Sequence, residues 1–177
     1  MNGPKKLIPL ISLVCALSGA FLYMKSKPKN VRNNNPLNVK ESADWTGERL
    51  LNLDKTFEEF KTPEHGFRAG YIILLQYLER GDNTIQSIVA KWAPANTDEQ
   101  NHTTAYIEYV ADKMQMSPVE YVSPDMLPEM MLHMSVFEGS QGAFTIEQSI
   151  KGVELAKQAD FVVARLYRLG YPVEAIA

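Results

Sequence analysis

The segment from Arg32 to Gly70 constrains the fold of this chain most, because a rigid loop, a strand-like stretch and a helix start follow one another within it. It opens with the letters RNNNPLN. Pro36 disfavours helix at the residue before it, and asparagine side chains bond to nearby backbone groups, so a fixed polar loop is predicted. From Thr56 to Phe60 the alternation favours a short strand with buried aromatic side chains. The segment therefore predicts a turn-rich, polar cleft wall packed against a helix.

A long helix is predicted to begin directly after this stretch. Thr62 suits the N-cap position, Pro63 suits the first helical position, and Glu64 places an acid at the positive end of the helix dipole. Further on, apolar residues recur at spacings of three and four, and turn residues separate these periodic stretches as far as Leu169. Only residues 45–61 resemble strand. The pattern predicts a mainly helical domain with one small β-hairpin.

The amino terminus carries an uncharged apolar run from Leu7 to Met24, with basic residues on both sides. As a helix, these 18 residues would extend about 27 Å at about 1.5 Å per residue, close to the hydrocarbon thickness of a bilayer. We therefore predict a single N-terminal transmembrane helix in a single-pass protein of a virion membrane or host inner membrane. A cleaved signal peptide is the alternative, because Ser18, Gly19 and Ala20 are small residues behind an apolar stretch.

This run also sets the predicted domain boundaries. Residues 1–29 would form the membrane anchor with its basic flank, and residues 30–177 the globular domain. More basic residues follow the run than precede it, which by the positive-inside rule places the globular domain on the cytoplasmic side. That side conflicts with a target in the cell wall. A virion membrane would remove the conflict, since particle assembly and entry then decide the final side.

The charges and the metal-ligating residue types exclude several functions. Beyond Arg32 the chain holds 12 basic and all 21 acidic side chains, which gives that part a formal charge of −9. An acidic body lacks the clustered cations that contact phosphates, so nucleic acid is not expected as a partner. Cys15 is the sole cysteine, and the three histidines lack metal-ligand spacing. Neither a disulfide nor a metal or other cofactor is predicted.

Several motifs occur in the order found in one family of phage proteins. They are RNNNPLN, W-x-G at Trp45, F-x-x-F-x-T-P-E-x-G-x-R-A from Phe57 to Ala69, the letters KWAP, and Glu138 before a glycine. Over residues 31–157 the chain resembles bacteriophage proteins described as virion structural proteins and as lysozyme-like enzymes that degrade cell walls. The resemblance implies a lysozyme-like α+β fold. Leu37 departs from the pattern, since the family usually has glycine there and leucine tolerates a positive φ poorly.

The resemblance also implies cleavage of a glycosidic bond, which needs a sheltered, protonated carboxylic acid, often with a second carboxylate nearby. Glu48 follows W-x-G, where an aromatic wall would raise its pKa, and Glu138 should end a helix, where the dipole favours the protonated acid. Glu64 is the third candidate, although a helix first turn stabilises its anion and Arg68 lies four residues further on. Glu58 fits an exposed strand position equally well. For each acid an ordinary structural or surface role is the alternative.

The Asn-rich loop supplies the predicted glycan-binding side chains. Amide groups match the acetamido groups and hydroxyls of a glycan, and a tryptophan can stack on a sugar ring. The predicted set is Arg32, Asn33, Asn35, Asn38 and Trp45. Asparagines before a proline are also common turn formers, so a purely structural role is the alternative.

Two functions follow from these features. The first is a virion-associated, membrane-anchored peptidoglycan hydrolase, a lytic transglycosylase or muramidase, that cuts the host wall during entry or lysis. The second is a non-catalytic virion membrane protein that uses the same domain to bind the wall or capsid proteins. The partners expected are peptidoglycan, a lipid membrane through residues 7–24, and other virion proteins. The sequence leaves open whether a glycan or a peptide bond is cut.

Overall fold

The computed structural model describes residues 27–95 and 100–171 of the 177-residue chain. Helices account for the regular structure in that part of the chain. They are α1 (Lys29–Arg32), α2 (Pro63–Glu79), α3 (Ile85–Trp92), α4 (Gln100–Met114), α5 (Leu127–Ser135), α6 (Ile146–Lys157) and α7 (Asp160–Arg168). A short 3-10 turn, Pro124–Met126, leads into α5, and a π-helical turn, Val136–Ser140, follows it.

Helix α2 lies at the centre of the domain. It begins at Pro63 behind an extended Thr62, which confirms the predicted helix start. Helix α6 packs along it, and α3, α5 and α7 also contact it. Gly152 of α6 permits the close approach, because a Cβ there would lie 2.6 Å from the Cβ of Phe67 and 2.8 Å from the carbonyl oxygen of Glu64. The buried side of α2 is therefore covered by neighbouring helices and forms the middle of the core.

The predicted β-hairpin is wrong. Residues 45–61 contain no strand in the structure, and this region takes part only in isolated antiparallel bridges, Glu48 with Phe60 and Phe57 with Lys40. The described part of the chain is therefore mainly helical, and the α+β fold expected from the resemblance is corrected accordingly.

The backbone partners of this region explain the missing hairpin. The carboxylate of Glu59 accepts hydrogen bonds from the backbone N–H groups of Leu53 and Asp54, at 3.2 and 3.0 Å. The N–H group of Phe60 donates to the carbonyl oxygen of Asn33 at 2.8 Å. The buried carboxylate of Glu59 and the Asn-rich loop thus accept hydrogen bonds from backbone N–H groups that would pair with a neighbouring strand in a hairpin.

The membrane prediction is also corrected. Within residues 27–95 and 100–171, no helix combines the length and the apolarity that crossing a bilayer requires. The run predicted to span the membrane, residues 7–24, lies outside the described residues. The predicted single-pass membrane localisation depended on that run alone.

Candidate functional site

A cleft of about 490 Å³ opens beside the end of α3. Residues 37–40 of the Asn-rich loop form one side, and the first part of α4 forms another. Its polar and aromatic side chains come from Asn38, Lys40, Phe57, Trp92, His102, Thr103 and Glu138. Among the described residues lining it, Glu138 alone carries a carboxylate.

Glu138 reaches this cleft from the π-helical turn Val136–Ser140 that follows α5. Gly139, with a φ of 105°, breaks the helix directly after the glutamate, and Gln141 follows in the left-handed region. A π-turn inserts extra backbone into a helix and is frequent at functional sites. The residue thus lies at the helix end where the sequence placed it.

Three side chains hold the carboxyl group of Glu138. The amide nitrogen of Asn38 donates to Oε2 at 2.8 Å, although the two residues are 100 positions apart in the chain. The hydroxyl of Tyr106 lies 3.3 Å from Oε1 and 3.3 Å from the carbonyl oxygen of Met134, and its single proton is shared between these two acceptors. Trp92 also bonds to the carboxyl group through its side chain. Because both oxygens are engaged, the orientation of the carboxyl group is fixed before any ligand binds.

Burial raises the pKa of Glu138 above the ordinary value for a glutamate. The hydrogen bonds from Asn38, Tyr106 and Trp92, and the nearby His102, act in the opposite direction without cancelling the effect of burial. A raised pKa keeps a larger share of the carboxyl groups protonated near neutral pH. This is the state that a general acid needs.

An aromatic stack supports the tyrosine that contacts Glu138. The rings of Tyr106 and Phe137 are stacked with centroids 4.0 Å apart, and His102 meets Phe137 edge-on at 5.2 Å. Tyr106 is fully buried. These contacts fix the ring of Tyr106, and through it the hydroxyl that donates to the carboxyl group.

A second hollow of about 280 Å³ adjoins the cleft. The two share Asn38, Lys40, Trp92 and Pro94 as lining residues, so they form one longer groove. Tyr77 lines its far part and packs edge-on against Trp92 at 6.4 Å. A groove of this kind accommodates an extended chain better than a single small ligand.

The structure separates the predicted amides into two groups. Asn38 lines the cleft, whereas Asn33 and Asn35 are buried inside the loop. The amide of Asn35 donates to the carbonyl oxygens of Val39 and Glu58, both at 2.9 Å. Asn33 donates to the carboxylate of Asp54 at 3.1 Å. Their hydrogen bonds shape the loop, and of these three asparagines Asn38 alone lines the cleft.

Arg32 and Trp45 do not line this cleft. Arg32 ends α1, and its carbonyl oxygen accepts a hydrogen bond from Arg49 at 3.2 Å. Trp45 packs partly buried against the core, and its backbone N–H donates to Glu48 at 3.2 Å. Both residues therefore have structural contacts apart from the cleft.

The structure explains how leucine is accommodated at position 37, where the family usually has glycine. Leu37 is fully buried, and the left-handed positions of the loop are Asn34 and Asn38, with φ of 49° and 51°. Asparagine tolerates this region better than other residues with side chains. The loop therefore needs no glycine at position 37, where the side chain instead packs close to Gly70.

The other candidate acids lie apart from the cleft. The carboxylate of Glu48 accepts a hydrogen bond from the backbone N–H of Trp45, and Glu64 lies in the first turn of α2. Hydrogen bonds from Thr62 and Gln148 outweigh partial burial and lower the pKa of Glu64, which favours its anion. The predicted pair of Glu64 with Arg68 is not among the salt bridges of the described residues.

Glu58 was expected at an exposed strand position, and the structure corrects this. It is fully buried, and its carboxylate accepts from the backbone N–H of Ser42 at 3.0 Å and from Asn52 at 3.3 Å. Burial raises its pKa, and the neighbouring Glu48 adds to the effect. Its contacts hold the loop around residues 42–52.

Sequence reasoning missed most of the cleft wall. Lys40, Phe57 and Thr103 were not identified as cleft residues, and Trp92 was not in the predicted glycan-binding set. His102 was considered only as a metal ligand. The available indication was the motif order, since KWAP contains Trp92 and the polar stretch before Tyr106 contains His102. In residues 27–95 and 100–171, no three His, Cys, Asp or Glu side chains are grouped so that they could hold a metal ion.

No family model matches this chain. A curated protein does: protein P5 of Pseudoalteromonas phage PM2 is 41% identical to it over 157 residues. The matched region covers 85% of this chain and 96% of the relative.

Proposed function

Since the chain belongs to the family of protein P5 of Pseudoalteromonas phage PM2, we propose that it is a virion-associated phage protein that cleaves the glycan of host peptidoglycan. Glu138 is the general acid in this proposal. The observation that carries it is the half-buried carboxyl group of Glu138 in a groove, held by Asn38 and Tyr106 and with a raised pKa. This combination is typical of the acid in glycoside cleavage.

The cleavage step follows from a single acid. The protonated carboxyl group of Glu138 gives its proton to the glycosidic oxygen, and the bond from that oxygen to the sugar carbon breaks. A hydroxyl of the same sugar attacks the carbon and forms the new carbon–oxygen bond. Its proton passes to the carboxylate of Glu138, which restores the acid.

The absence of a second carboxylate among the described lining residues favours this route over hydrolysis. An inverting or retaining glycosidase uses two carboxylates on either side of the bond. Glu138 is the one acid among the described lining residues, and a lytic transglycosylase works with one acid because the sugar supplies its own nucleophile. We therefore favour a lytic transglycosylase over a two-carboxylate muramidase.

Other residues of the groove would bind and orient the glycan. Trp92 and Phe57 offer aromatic surface for sugar rings, and Lys40 offers a cation and hydrogen-bond donor. Asn38 has a double task, because its amide holds Oε2 of Glu138 and faces the same cleft.

A non-catalytic role in wall binding or virion assembly is the second candidate. It is favoured by the hydrogen bonds from Asn38 and Tyr106, since both stabilise the carboxylate and oppose its protonation. In that case the groove would bind glycan or another virion protein, and Glu138 would only accept hydrogen bonds.

Turbidity loss of purified cell-wall sacculi separates these two functions. We expect clearing by the wild-type chain, and a loss of about 10²-fold or more in rate for Glu138→Gln, because glutamine cannot deliver a proton. Glu108→Gln, at an exposed position on α4, is the matched control and should retain full activity. Sacculi that bind the wild-type protein but are never cleared would favour the binding role.

A further inference from the structure

Arg68 is a buried cation without a counter-ion. Its residue surface is only 8% exposed, and its guanidinium forms no hydrogen bond or ion pair with another described residue. The acid one turn before it, Glu64, bonds instead to Thr62 and Gln148. An unpaired buried charge is costly to a fold. Its presence points to a partner outside the described residues.

Arg68 lines a separate hollow of about 190 Å³. Thr46, His65 and Gln158 are its other polar lining residues, and Leu155 and Ala159 form an apolar wall. It shares no lining residue with the Glu138 cleft. The hollow is therefore a distinct site.

Local structure keeps this hollow in shape. Gly47, with a φ of 84°, lies against the ring of His65, and a Cβ at that glycine would come within 1.8 Å of the ring. The Nδ1 atom of His65 is bonded to the hydroxyl of Thr62 at 3.0 Å. The glycine of W-x-G is thus needed to let the histidine ring lie beside the hollow.

The charge of the hollow indicates the class of ligand. Burial and the neighbouring Arg68 lower the pKa of His65, so the imidazole is neutral near pH 7 and the arginine supplies one positive charge. A carboxylate carries one negative charge and matches the planar fork of a guanidinium, whereas a phosphate ester carries up to two charges.

The size of the hollow limits which ligands can bind there. A hollow of about 190 Å³ has room for a carboxylate with one small residue. Gln158 and Thr46 can bond to a peptide group, and Ala159 can contact a methyl group. We propose that Arg68, Thr46 and Gln158 form a binding site for the terminal carboxylate of a peptide, separate from the glycan groove.

Titration of the full chain with N-acetylalanine tests this site. We expect the NMR signal of the Arg68 Nε–H group to shift and the melting temperature to rise with ligand concentration, as for any ligand that binds only the folded state. N-acetylalaninamide, which lacks the carboxylate, should cause neither change. Inorganic phosphate should bind at least tenfold more weakly.

Three variants complete the test. Arg68→Gln should weaken binding at least tenfold, and Gln158→Leu, which keeps the arginine, should weaken it severalfold. Arg80→Gln, at an exposed position at the end of α2, should leave binding unchanged. If Arg68→Gln does not fold, the test uses the NMR signal of the Arg68 Nε–H group in the wild-type chain and the binding of N-acetylalanine to Gln158→Leu. An unshifted Arg68 signal, or equal responses to the acid and the amide, would overturn the proposal whether or not the chain cleaves glycan.

Discussion

Glu138 and Glu64 show how the surroundings of one residue type decide its chemistry. Both are half-buried glutamates near a helix end. Burial dominates at Glu138 and raises its pKa, whereas hydrogen bonds dominate at Glu64 and lower its pKa. The same side-chain type is therefore protonated more readily at Glu138 and less readily at Glu64 than an ordinary glutamate.

The first prediction concerns the pH dependence of stability in Glu138→Gln. Because the folded state binds the proton of Glu138 more tightly than the unfolded state, the stability from that carboxyl group is full at low pH. It is lost as the pH rises through the raised pKa of the folded state. Thermal unfolding from about pH 4 to about pH 8 should therefore show the variant gaining stability relative to wild type.

Glu64→Gln should behave in the opposite way and serves as the control. The lowered pKa of Glu64 gives the wild type stability that is present above the ordinary pKa of a glutamate and is lost as the pH falls. The variant should be less stable than wild type at neutral pH and approach it in acid. Parallel pH curves for both variants would contradict the two pKa assignments.

The Asn-rich loop acts as an element whose shape depends on inward-pointing amides. Asn35→Ala removes the side-chain partner of the backbone N–H of Val39 and of the carbonyl oxygen of Glu58. The carbonyl oxygen of Val39 loses one of two donors and keeps the N–H of Glu58. We expect a loss of at least about 2 kcal/mol in the free energy of unfolding, measured in urea, because buried unsatisfied groups cost about 1–3 kcal/mol each.

Asn38→Gly tests the cleft side of the same loop. Glycine retains the left-handed conformation at this position, where φ is 51°, and removes only the side chain. We expect wall clearing to fall while the free energy of unfolding changes by less than about 1 kcal/mol. A loss of activity fully explained by a lower melting temperature would contradict the cleft role of Asn38.

The contact between α2 and α6 gives a further element-scale prediction. A methyl group at Gly152 would meet the backbone of Glu64 and Arg68 at 2.8 and 2.9 Å, and backbone yields little. Gly152→Ala should cost about 1–3 kcal/mol in the free energy of unfolding. The neighbouring Lys151→Ala, at an exposed position, should cost less than about 0.5 kcal/mol. Equal effects would mean that the helices do not approach as described.

The start of a helix could be predicted from the sequence more easily than the pairing of backbone groups. The start of α2 could be predicted because its capping residues and helix dipole act locally. The region of residues 45–61 could not, because its alternating pattern resembles a strand. Its backbone groups are instead satisfied by the buried carboxylate of Glu59 and by the loop that contains Asn33. These partners depend on tertiary structure and leave no periodic pattern.

At the scale of the whole molecule, contacts of α1 join the first described residues to the rest of the domain. Asn30 is fully buried and its amide donates to the carbonyl oxygens of Pro36 and Ser135, at 3.3 and 3.2 Å. Lys29 forms an ion pair with Asp54 at 3.6 Å. Helix α1 thus contacts the end of α5 through the hydrogen bond from Asn30 to Ser135.

We expect a fragment of residues 27–177 to unfold in one cooperative transition by circular dichroism. A fragment of residues 34–177 lacks Asn30 and should melt at a clearly lower temperature or over a broader range, because the carbonyl group of Ser135 loses its partner. The variant Asn30→Ala in the longer fragment isolates this contact. Identical melting of both fragments would contradict a structural role for α1.

The site depends on the whole fold, which explains why the sequence could not rank its acids. Glu138 and Asn38 are 100 residues apart, and Trp92 and Tyr106 complete their surroundings from two further helices. Sequence position favoured Glu48, since it adjoins the Asn-rich loop and Trp45. The packing of α5 against α4 and the contact of α1 with the turn Val136–Ser140 together bring Glu138 to the loop.

Mass spectrometry of the fragments released from purified peptidoglycan tests the central claim most directly, that Glu138 donates a proton during glycan cleavage. The wild-type chain should release soluble muropeptides ending in an anhydro sugar, formed when the sugar's own hydroxyl attacks. Glu138→Gln should bind the same peptidoglycan and release none, while Glu64→Gln and Glu108→Gln release the wild-type products. Undiminished release by folded Glu138→Gln, or no release by the wild-type protein, would contradict the account.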